Sequence, residues 1–268
     1  MEPAVDSGVL KTRAYADSRH LATRRDIYRY RTTETSFGGW ALSHLPHDVG
    51  RLLDVGCGPG AWLTMVAERH AFQTLVGIDL SHGMLKEVAV SGARRCVADA
   101  ENLPLGDEYF DTTLCIHMLY HVPDVDKAIG ELRRVTRSGG VALVATNGAE
   151  HLSGFRRTFD DVVEAISKQQ SKVLSRKRGF RMEEGEEKLA KHFSSVVRDD
   201  FKTELEVPEP QPVIGYIESC RAFYEQKLPS NTSWEKAMRG FGERVRQTIA
   251  DEGAFRTPVH AGVFVCRP

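Results

Sequence analysis

Three glycines in one short loop are the first residues whose types and spacing point to chemistry. Gly56, Gly58 and Gly60 come directly after the apolar run 51–55, which is typical of a buried strand. Glycine lets a backbone turn sharply and lets a ligand approach closely, because no Cβ stands in the way. In open α/β sheets, ligands bind beyond the carboxyl ends of the strands, where such a loop lies. The loop therefore predicts a ligand site, with Asp54 just ahead of it.

Acidic residues end the next two apolar runs. Asp79 lies in the run 74–80, and Asp99 lies in the run 94–100, with Glu101 directly after it. A carboxylate offers several acceptor sites, so it is well suited to binding hydroxyl and amino groups. The loop and the two acidic positions together favour a ligand that carries such groups.

The same loop also satisfies the fingerprint of dinucleotide-binding folds. Gly56, Gly58 and Ala61 match G-x-G-x-x-G/A, and Asp79 stands about 20 residues further on, as a ribose-binding acid would. Three features argue against a nicotinamide-dependent oxidoreductase. About 50 residues precede the first strand, the chain has no Tyr-x-x-x-Lys pair, and a further acid, Asp99, follows the third strand. The oxidoreductase remains the alternative of another class.

The composition indicates an ordinary globular protein. Of the 268 residues, 41% are hydrophobic and 27% are charged, which supplies enough apolar material for a core. The formal net charge of −1 gives no basic excess of the kind that nucleic-acid binders use. The odd number of cysteines, with no C-x-x-C pair, suits a reducing compartment and argues against a zinc ribbon. With no apolar run in the first twenty residues, and none of ~18 residues anywhere, we expect a cytoplasmic protein without a signal peptide.

Strands and helices alternate regularly over about a hundred residues. Such alternation predicts a doubly wound, mostly parallel sheet that is covered by helices on both faces. The strands are predicted at 51–56, 74–80, 94–100, 110–119, 141–148, 194–201 with an extended edge over 202–207, and 260–268. The helices are predicted at 61–70, 81–92, 125–140 and 184–193, with helical signal over 149–182 and two helices within 213–252.

These motifs, in this order, resemble those of the class I S-adenosylmethionine-dependent methyltransferases. The resemblance covers residues 50–148 closely and rests on LLDVGCGPG, VGIDLS, VADAENLPL, FDTTLCIHMLYHVPD and LRRVTRSGGVALVAT. It implies an α/β fold with a seven-stranded, Rossmann-like sheet. The tail, with GYIESCRAFYE and DEGAFRTPVHAGVFVCRP, is similar to the small-molecule methyltransferases of bacterial secondary metabolism, including antibiotic biosynthesis.

The resemblance implies S-adenosyl-L-methionine as cofactor and S-adenosyl-L-homocysteine as product, and it assigns roles to the motif residues. The glycine loop would surround the methionine part, and Asp54 would order that loop and meet the cofactor's amine through water. Asp79 would accept hydrogen bonds from both ribose hydroxyls, while Asp99 and the amide of Ala100 would bind the adenine. The positions implied for cofactor binding are Tyr15, Arg24, Asp54, Gly56, Gly58, Gly60, Asp79, Leu80, Asp99, Ala100, Glu101 and His117.

Two histidines near the end of the fourth predicted strand are candidate general bases. His117 ends that strand where the reactive methyl should lie, and His121 follows in Tyr120-His121-Val-Pro. Methyl transfer from sulfur, which leaves as a neutral group, mainly requires in-line positioning, and a base is needed only for a protonated nucleophile. Ahead of the core, Tyr15 would pack near the sulfonium and Arg24 would pair with the cofactor's carboxylate. Each of these four residues also has a purely structural interpretation.

The predicted function is methyl transfer to an O, N or C atom of a small molecule, with no metal, nucleic acid or membrane partner. The alternatives are an RNA or protein methyltransferase on the same core, and a binding module that has lost activity. We expect a monomer or homodimer. The predicted division of the chain is a helical lid over 1–48, a cofactor-binding core over 49–148, a helical cap over 149–183, and the rest of the core over 184–268 with a helical insert at 209–253.

Overall fold

A single seven-stranded sheet organises the protein. The computed structural model describes residues 19–171, 173, 174 and 179–268. The strands stand in the order β3-β2-β1-β4-β5-β7-β6. The first five strands pair in parallel, and β7 runs antiparallel to both β5 and β6. The fold predicted from the sequence is therefore confirmed. The strands are β1 Arg51–Val55, β2 Thr74–Asp79, β3 Arg94–Val97, β4 Phe110–Ile116, β5 Thr136–Asn147, β6 Ser195–Val207 and β7 Phe255–Arg267.

The strand order reverses between β1 and β4, which lie side by side at the centre of the sheet. From β1 the chain leads to β2 and β3 on one side, whereas β4 leads to β5 on the other. The loops that leave the carboxyl ends of β1 and β4 therefore diverge, and they open a crevice between them. Such a reversal is where ligands bind in open α/β sheets.

Helices cover both faces of the sheet and extend beyond its carboxyl edge. Adjacent residues of β1 serve different faces, because side chains alternate along a strand: Leu52 packs with Leu63 and Val66, while Leu53 packs with Ile129. The helices are α1 Arg19–Asp26, α2 Phe37–Leu42, α3 Ala61–Arg69, α4 His82–Lys86, α5 Val125–Val135, α6 Ser153–Ser167, α7 Met182–Leu189, α8 Pro210–Glu218, α9 Arg221–Tyr224 and α10 Trp234–Glu252.

A separate apolar cluster lies above the carboxyl edge of the sheet. It joins aromatic residues of α6 and α10 with the far ends of β6 and β7, so that Phe159, Trp234 and Phe241 pack together. The N-terminal segment packs on this cluster through Ile27, and Thr32 donates from its backbone N–H to the Glu204 carbonyl at 2.9 Å. Helices α6 and α8 to α10, called the cap below, and the N-terminal segment ahead of α2 thus both pack on β6 and β7.

Several predicted element boundaries were wrong. The helix predicted over 125–140 ends at Val135, because Thr136 turns extended and its hydroxyl donates to the Leu132 carbonyl at 2.6 Å. Residues 136–140 instead begin β5. The helix predicted over 81–92 ends at Lys86, where the Arg95 guanidinium donates to the carbonyls of residues 85 and 88.

The predicted helical regions outside the core also contract. Of the helical signal over 149–182, the described residues form α6, which ends where Lys168 takes a left-handed conformation with φ of 60°. The region 213–252 holds α8, α9 and α10, not two helices. Among the residues that the structure describes, no helix is long and apolar enough to cross a bilayer.

Candidate active site

The glycine loop after β1 has a backbone that other residues would strain. Gly56, Gly58 and Gly60 have φ angles of 74°, 54° and 83°, in the left-handed region that L residues rarely adopt. A Cβ on Gly56 would lie 2.8 Å from the side chain of Met118, and one on Gly60 would lie 2.9 Å from Val88. At Gly58 a Cβ would meet no atom within 4 Å, because this glycine faces open space. The loop therefore leaves room for a ligand at Gly58.

Asp79, at the end of β2, holds this loop in place. One carboxylate oxygen accepts from the backbone N–H of Gly58 at 2.9 Å, and the other accepts from that of Ser81 at 2.7 Å. Burial raises the pKa of Asp79, and these backbone donors oppose the rise. Each carboxylate oxygen retains acceptor capacity toward the cavity that Asp79 lines.

Asp54 lies beneath the loop. It is 1% exposed, and within the described residues its Oδ2 has no hydrogen-bond partner. Burial, reinforced by the negative charge of Asp79, raises the pKa of Asp54 to about 8. The carboxyl group is therefore mostly protonated at neutral pH, when it can donate a hydrogen bond as well as accept one.

The loop after β3 carries three further predicted residues. Asp99 accepts from the backbone N–H of Glu101 at 3.0 Å, and Glu101 accepts from that of Asp124 at 2.9 Å. These bonds tie the loop to the start of α5. Asp99, Ala100 and Glu101 line the same cavity as the glycine loop.

Two histidines lie just beyond β4, which ends at Ile116 and not at 119 as predicted. His117 has a φ of 55°, unusual for a residue with a side chain, and its backbone N–H donates to the Ala145 carbonyl at 2.9 Å. Its ring packs against Phe37, with 5.1 Å between ring centroids. His121 packs against Tyr120 at 4.5 Å. Both histidines line the cavity.

Most of these groups border one cavity of about 680 Å³, which also extends under the cap. This volume lies within the range of small-molecule sites. Three arginines of the N-terminal segment and several aromatic rings line its far end. Arg24 is placed against the cap, where it donates to the Ser219 carbonyl at 3.4 Å and its guanidinium lies 5.6 Å from the centre of the Phe223 ring.

Comparison with known proteins agrees with this geometry. A family model described as a methyltransferase domain matches residues 53–144. A phosphatidylethanolamine N-methyltransferase of Cereibacter sphaeroides is 30% identical over 143 residues, which cover 48% of this chain and 69% of that protein. The chain belongs to the class I S-adenosylmethionine-dependent methyltransferases.

Other matches show how far this likeness extends. The methyltransferase is 36% identical to a tRNA (carboxymethyluridine(34)-5-O)-methyltransferase of Arabidopsis thaliana, over 44% of this chain and 30% of the relative. It likewise spans less than half the length of several other curated relatives. The fold resembles that of phosphoethanolamine N-methyltransferase 2 of Haemonchus contortus, solved in complex with phosphomonomethylethanolamine and S-adenosylhomocysteine. That similarity has a TM-score of 0.57 at 20% identity, over 97% of this chain and 59% of the other.

The residues of the methyltransferase fit an adenosine-containing cofactor at the β1–β3 end of the cavity. Open space at Gly58 admits a ligand against the backbone, and the carboxylates of Asp79, Asp99 and Glu101 provide acceptors for hydroxyl and amino groups. Every carboxylate among the described lining residues belongs to this end.

Of the residues predicted from the sequence, ten line the cavity: Arg24, Gly56, Gly58, Asp79, Leu80, Asp99, Ala100, Glu101, His117 and His121. Asp54 and Gly60 do not line it, since one lies beneath the loop and the other turns into α3 against Val88. Tyr15 lies outside the described residues. Their individual roles remain predictions.

Sequence reasoning missed most of the far end of the cavity. Tyr28, Phe201, Tyr216 and His151 all line it, yet they lie on segments that share no motif. Tyr28 belongs to no recognisable motif of the sequence. His151 gave no signal, because only folding brings its loop near Tyr28.

Proposed function

We propose that this methyltransferase transfers the methyl group of S-adenosylmethionine to an O, N or C atom of a small molecule. The observation that carries the proposal is the continuity of the cavity. Its β1–β3 end offers a glycine backbone and three carboxylates, and its far end is aromatic and cationic. One cavity of this size can hold a cofactor and an acceptor side by side.

The residues proposed to hold the cofactor follow from this division. The loop from Gly56 to Gly60 would surround the methionine part, Asp79 would accept from the ribose hydroxyls, and Asp99 with Ala100 would bind the adenine. Leu80 and Glu101 supply neighbouring contacts. Asp54 would act indirectly, because it lies beneath the loop. As a neutral carboxyl group it adds no second negative charge next to Asp79.

The bound cofactor would supply a methyl group on a positively charged sulfur, with a neutral thioether as the leaving group. The chain's own residues would then mainly orient the acceptor and exclude water. These two effects lower the free-energy barrier of methyl transfer substantially. The aromatic residues Phe37, Trp62 and Phe201 would keep water away from the reacting atoms. His117 and His121 are the bases predicted from the sequence for an acceptor that must lose a proton.

A small acceptor suits the geometry better than a macromolecule. Residues of α8, α9 and the N-terminal segment line the far end of the cavity, so an acceptor would bind in a concave site and not on a flat face. The net charge of −1 provides no general attraction for RNA. The name of the Arabidopsis relative keeps tRNA as the alternative acceptor. A role in secondary metabolism, a cytoplasmic location and a monomeric or dimeric state remain predictions.

The first test is calorimetric titration of the protein with S-adenosylmethionine and with S-adenosylhomocysteine. We expect micromolar binding of both. Asp79→Asn keeps the size of the side chain but removes its charge, and we expect it to weaken both affinities at least tenfold. Asp126→Asn, which alters an exposed carboxylate paired with His192, is the control and should bind as the wild type does.

Two outcomes would contradict the proposal. Absence of binding by the folded wild-type protein would refute the cofactor, and NADH would then be titrated to test the oxidoreductase alternative. Equal affinities in wild type and Asp79→Asn would refute the ribose assignment alone. Transfer of a labelled methyl group to a small-molecule extract, and not to total tRNA, would separate the two acceptor classes.

A further inference from the structure

A tyrosine and a histidine from distant parts of the chain meet in the far end of the cavity. The Tyr28 hydroxyl lies 2.9 Å from Nε2 of His151, although 123 residues separate them in the sequence. Tyr28 belongs to the 3₁₀ turn Ile27–Tyr30, and His151 belongs to the loop that leaves β5. Both residues line the cavity, and His151 is 4% exposed. A partly buried hydrogen-bonded pair of this kind can receive a proton and pass it on.

The charges around this pair indicate which acceptors fit. Arg24 and Arg25 lie one turn before Tyr28, and the Arg31 guanidinium donates to the Tyr28 carbonyl at 3.2 Å. All three arginines line the cavity, whereas the described lining carboxylates stand at the other end. A protonated amine would therefore meet like charges beside Tyr28. A neutral hydroxyl compound, or one that also carries a carboxylate, would not.

Aromatic rings narrow the acceptor further. Tyr216 and Phe223 of the cap and Phe201 of β6 line this end of the cavity. Flat rings pack well against such walls, and ring pairs stabilise each other beyond the area they bury. An aromatic acceptor satisfies both this surface and the arginines if it carries an anionic substituent.

We propose that Tyr28 and His151 form the proton acceptor for the phenolic hydroxyl of an aromatic carboxylic acid. The proposal rests on the proposed methyl transfer and names its acceptor class. It assigns the base to this pair and not to His117 or His121. Neither Tyr28 nor His151 is among the site residues predicted from the sequence.

The step balances as follows. A lone pair of the phenolic oxygen forms the new O–CH₃ bond, and the electrons of the broken C–S bond remain on sulfur. The phenolic proton passes to the Tyr28 oxygen while the proton of Tyr28 passes to Nε2 of a neutral His151. The imidazolium then releases its extra proton to solvent, the Tyr28 hydroxyl is restored, and the products are an aryl methyl ether and S-adenosylhomocysteine.

The test begins with acceptors that differ in one group. Methyl transfer from labelled S-adenosylmethionine is measured with 4-hydroxybenzoate, 4-hydroxycinnamate and 3,4-dihydroxycinnamate, each beside its methyl ester and its amino analogue. We expect methyl transfer to the phenolic acids, slower transfer to their methyl esters, and no transfer to the amino analogues. Binding of each compound to the S-adenosylhomocysteine complex is measured by calorimetry in parallel.

Variants then test the pair itself. We expect Tyr28→Phe and His151→Gln each to lower kcat about 100-fold or more, with the Kd of S-adenosylmethionine unchanged. A nitro-substituted phenolic acid, which is ionised without help, should restore most of the kcat of both variants, because it needs no base. A merely structural defect would not respond to acceptor acidity. Tyr30→Phe and His192→Gln alter the same residue types outside the cavity and should behave as the wild type does.

Several results would overturn the proposal. The first is preferential methylation of amines. The second is that the S-adenosylhomocysteine complex binds none of the phenolic acids. The third is a normal kcat in both Tyr28→Phe and His151→Gln. A loss of kcat in His117→Gln that acidic phenols restore, with Tyr28→Phe active, would return the base to His117. A protein that binds no S-adenosylmethionine refutes the proposed function instead, so the two failures are distinguishable.

Discussion

The two ends of the cavity are built in different ways. The β1–β3 end consists of loops that directly follow strands, and it presents glycine backbone and carboxylates that are fixed by backbone hydrogen bonds. The far end is assembled from side chains of the N-terminal segment, the β5 loop, β6 and the cap. The first end depends on backbone conformation, which few substitutions preserve. The second depends on side chains, which can change without altering the sheet. This difference explains how one core can serve relatives whose names specify tRNA and phosphatidylethanolamine.

The largest effect should come from adding one methyl group to the glycine loop. In Gly56→Ala, the new Cβ meets the Met118 side chain at 2.8 Å and the left-handed backbone costs a further ~1–2 kcal/mol. We expect calorimetry to show a loss of S-adenosylmethionine affinity of at least 100-fold. Gly92→Ala is the matched control, because Gly92 has a φ of 76° but open space around its Cβ position. It should lower the thermal midpoint and leave the affinity unchanged; a tight-binding Gly56→Ala would show that this end tolerates side-chain changes after all.

A second prediction concerns Asp54, whose folded pKa is about 8 and thus above its unfolded value. Between these values the unfolded state loses a proton that the folded state keeps, so stability falls as pH rises from about 4 to about 8. Asp54→Asn removes this dependence. Denaturant unfolding should show the variant gaining on the wild type by up to about 1.4 kcal/mol per pH unit between pH 5 and 7.

Asp111 supplies the control of opposite sign. Burial alone would raise its pKa, but hydrogen bonds from Arg51 and Arg137 lower it to about 2. Its stabilisation is present above the unfolded value near pH 4 and is lost as pH falls through about 2. Asp111→Asn should therefore be destabilised at neutral pH and approach the wild type in acid. Parallel pH profiles for the Asp54 and Asp111 variants would contradict at least one of the two pKa assignments.

The smallest effect is expected at the far end. Phe223→Leu keeps an apolar side chain but removes the ring beneath Arg24, a contact worth about 0.5–1 kcal/mol. We expect a two- to fivefold rise in the KM of the phenolic acceptor, with no change in the Kd of S-adenosylmethionine. Phe72→Leu, at an exposed position, is the control. A change in the cofactor Kd would instead link Arg24 to the cofactor, as the sequence predicted.

The same contrast separates what was predictable from what was not. Gly56, Gly58, Asp79 and Asp99 could be assigned to one site because each follows an apolar strand, and parallel strands bring their carboxyl ends to one edge. The predicted end of α4 was wrong because a side chain from outside the helix binds the helix backbone. The Arg95 guanidinium donates hydrogen bonds to carbonyls at the C-terminal end of α4, and the sequence of that helix does not indicate this contact.

The sequence by itself determined the sheet, the glycine loop and the acidic positions. Each of these features depends on the pattern of a strand and on the few residues that follow it, so it can be identified from a short stretch of sequence. Only the tertiary structure decided the acceptor end. Tyr28 and His151 form their hydrogen bond across 123 residues, and that proximity arises only once the N-terminal segment and the cap pack on β6 and β7. A contact that depends on the packing of remote segments leaves no periodic signal in the chain, since many sequences satisfy the same fold without it.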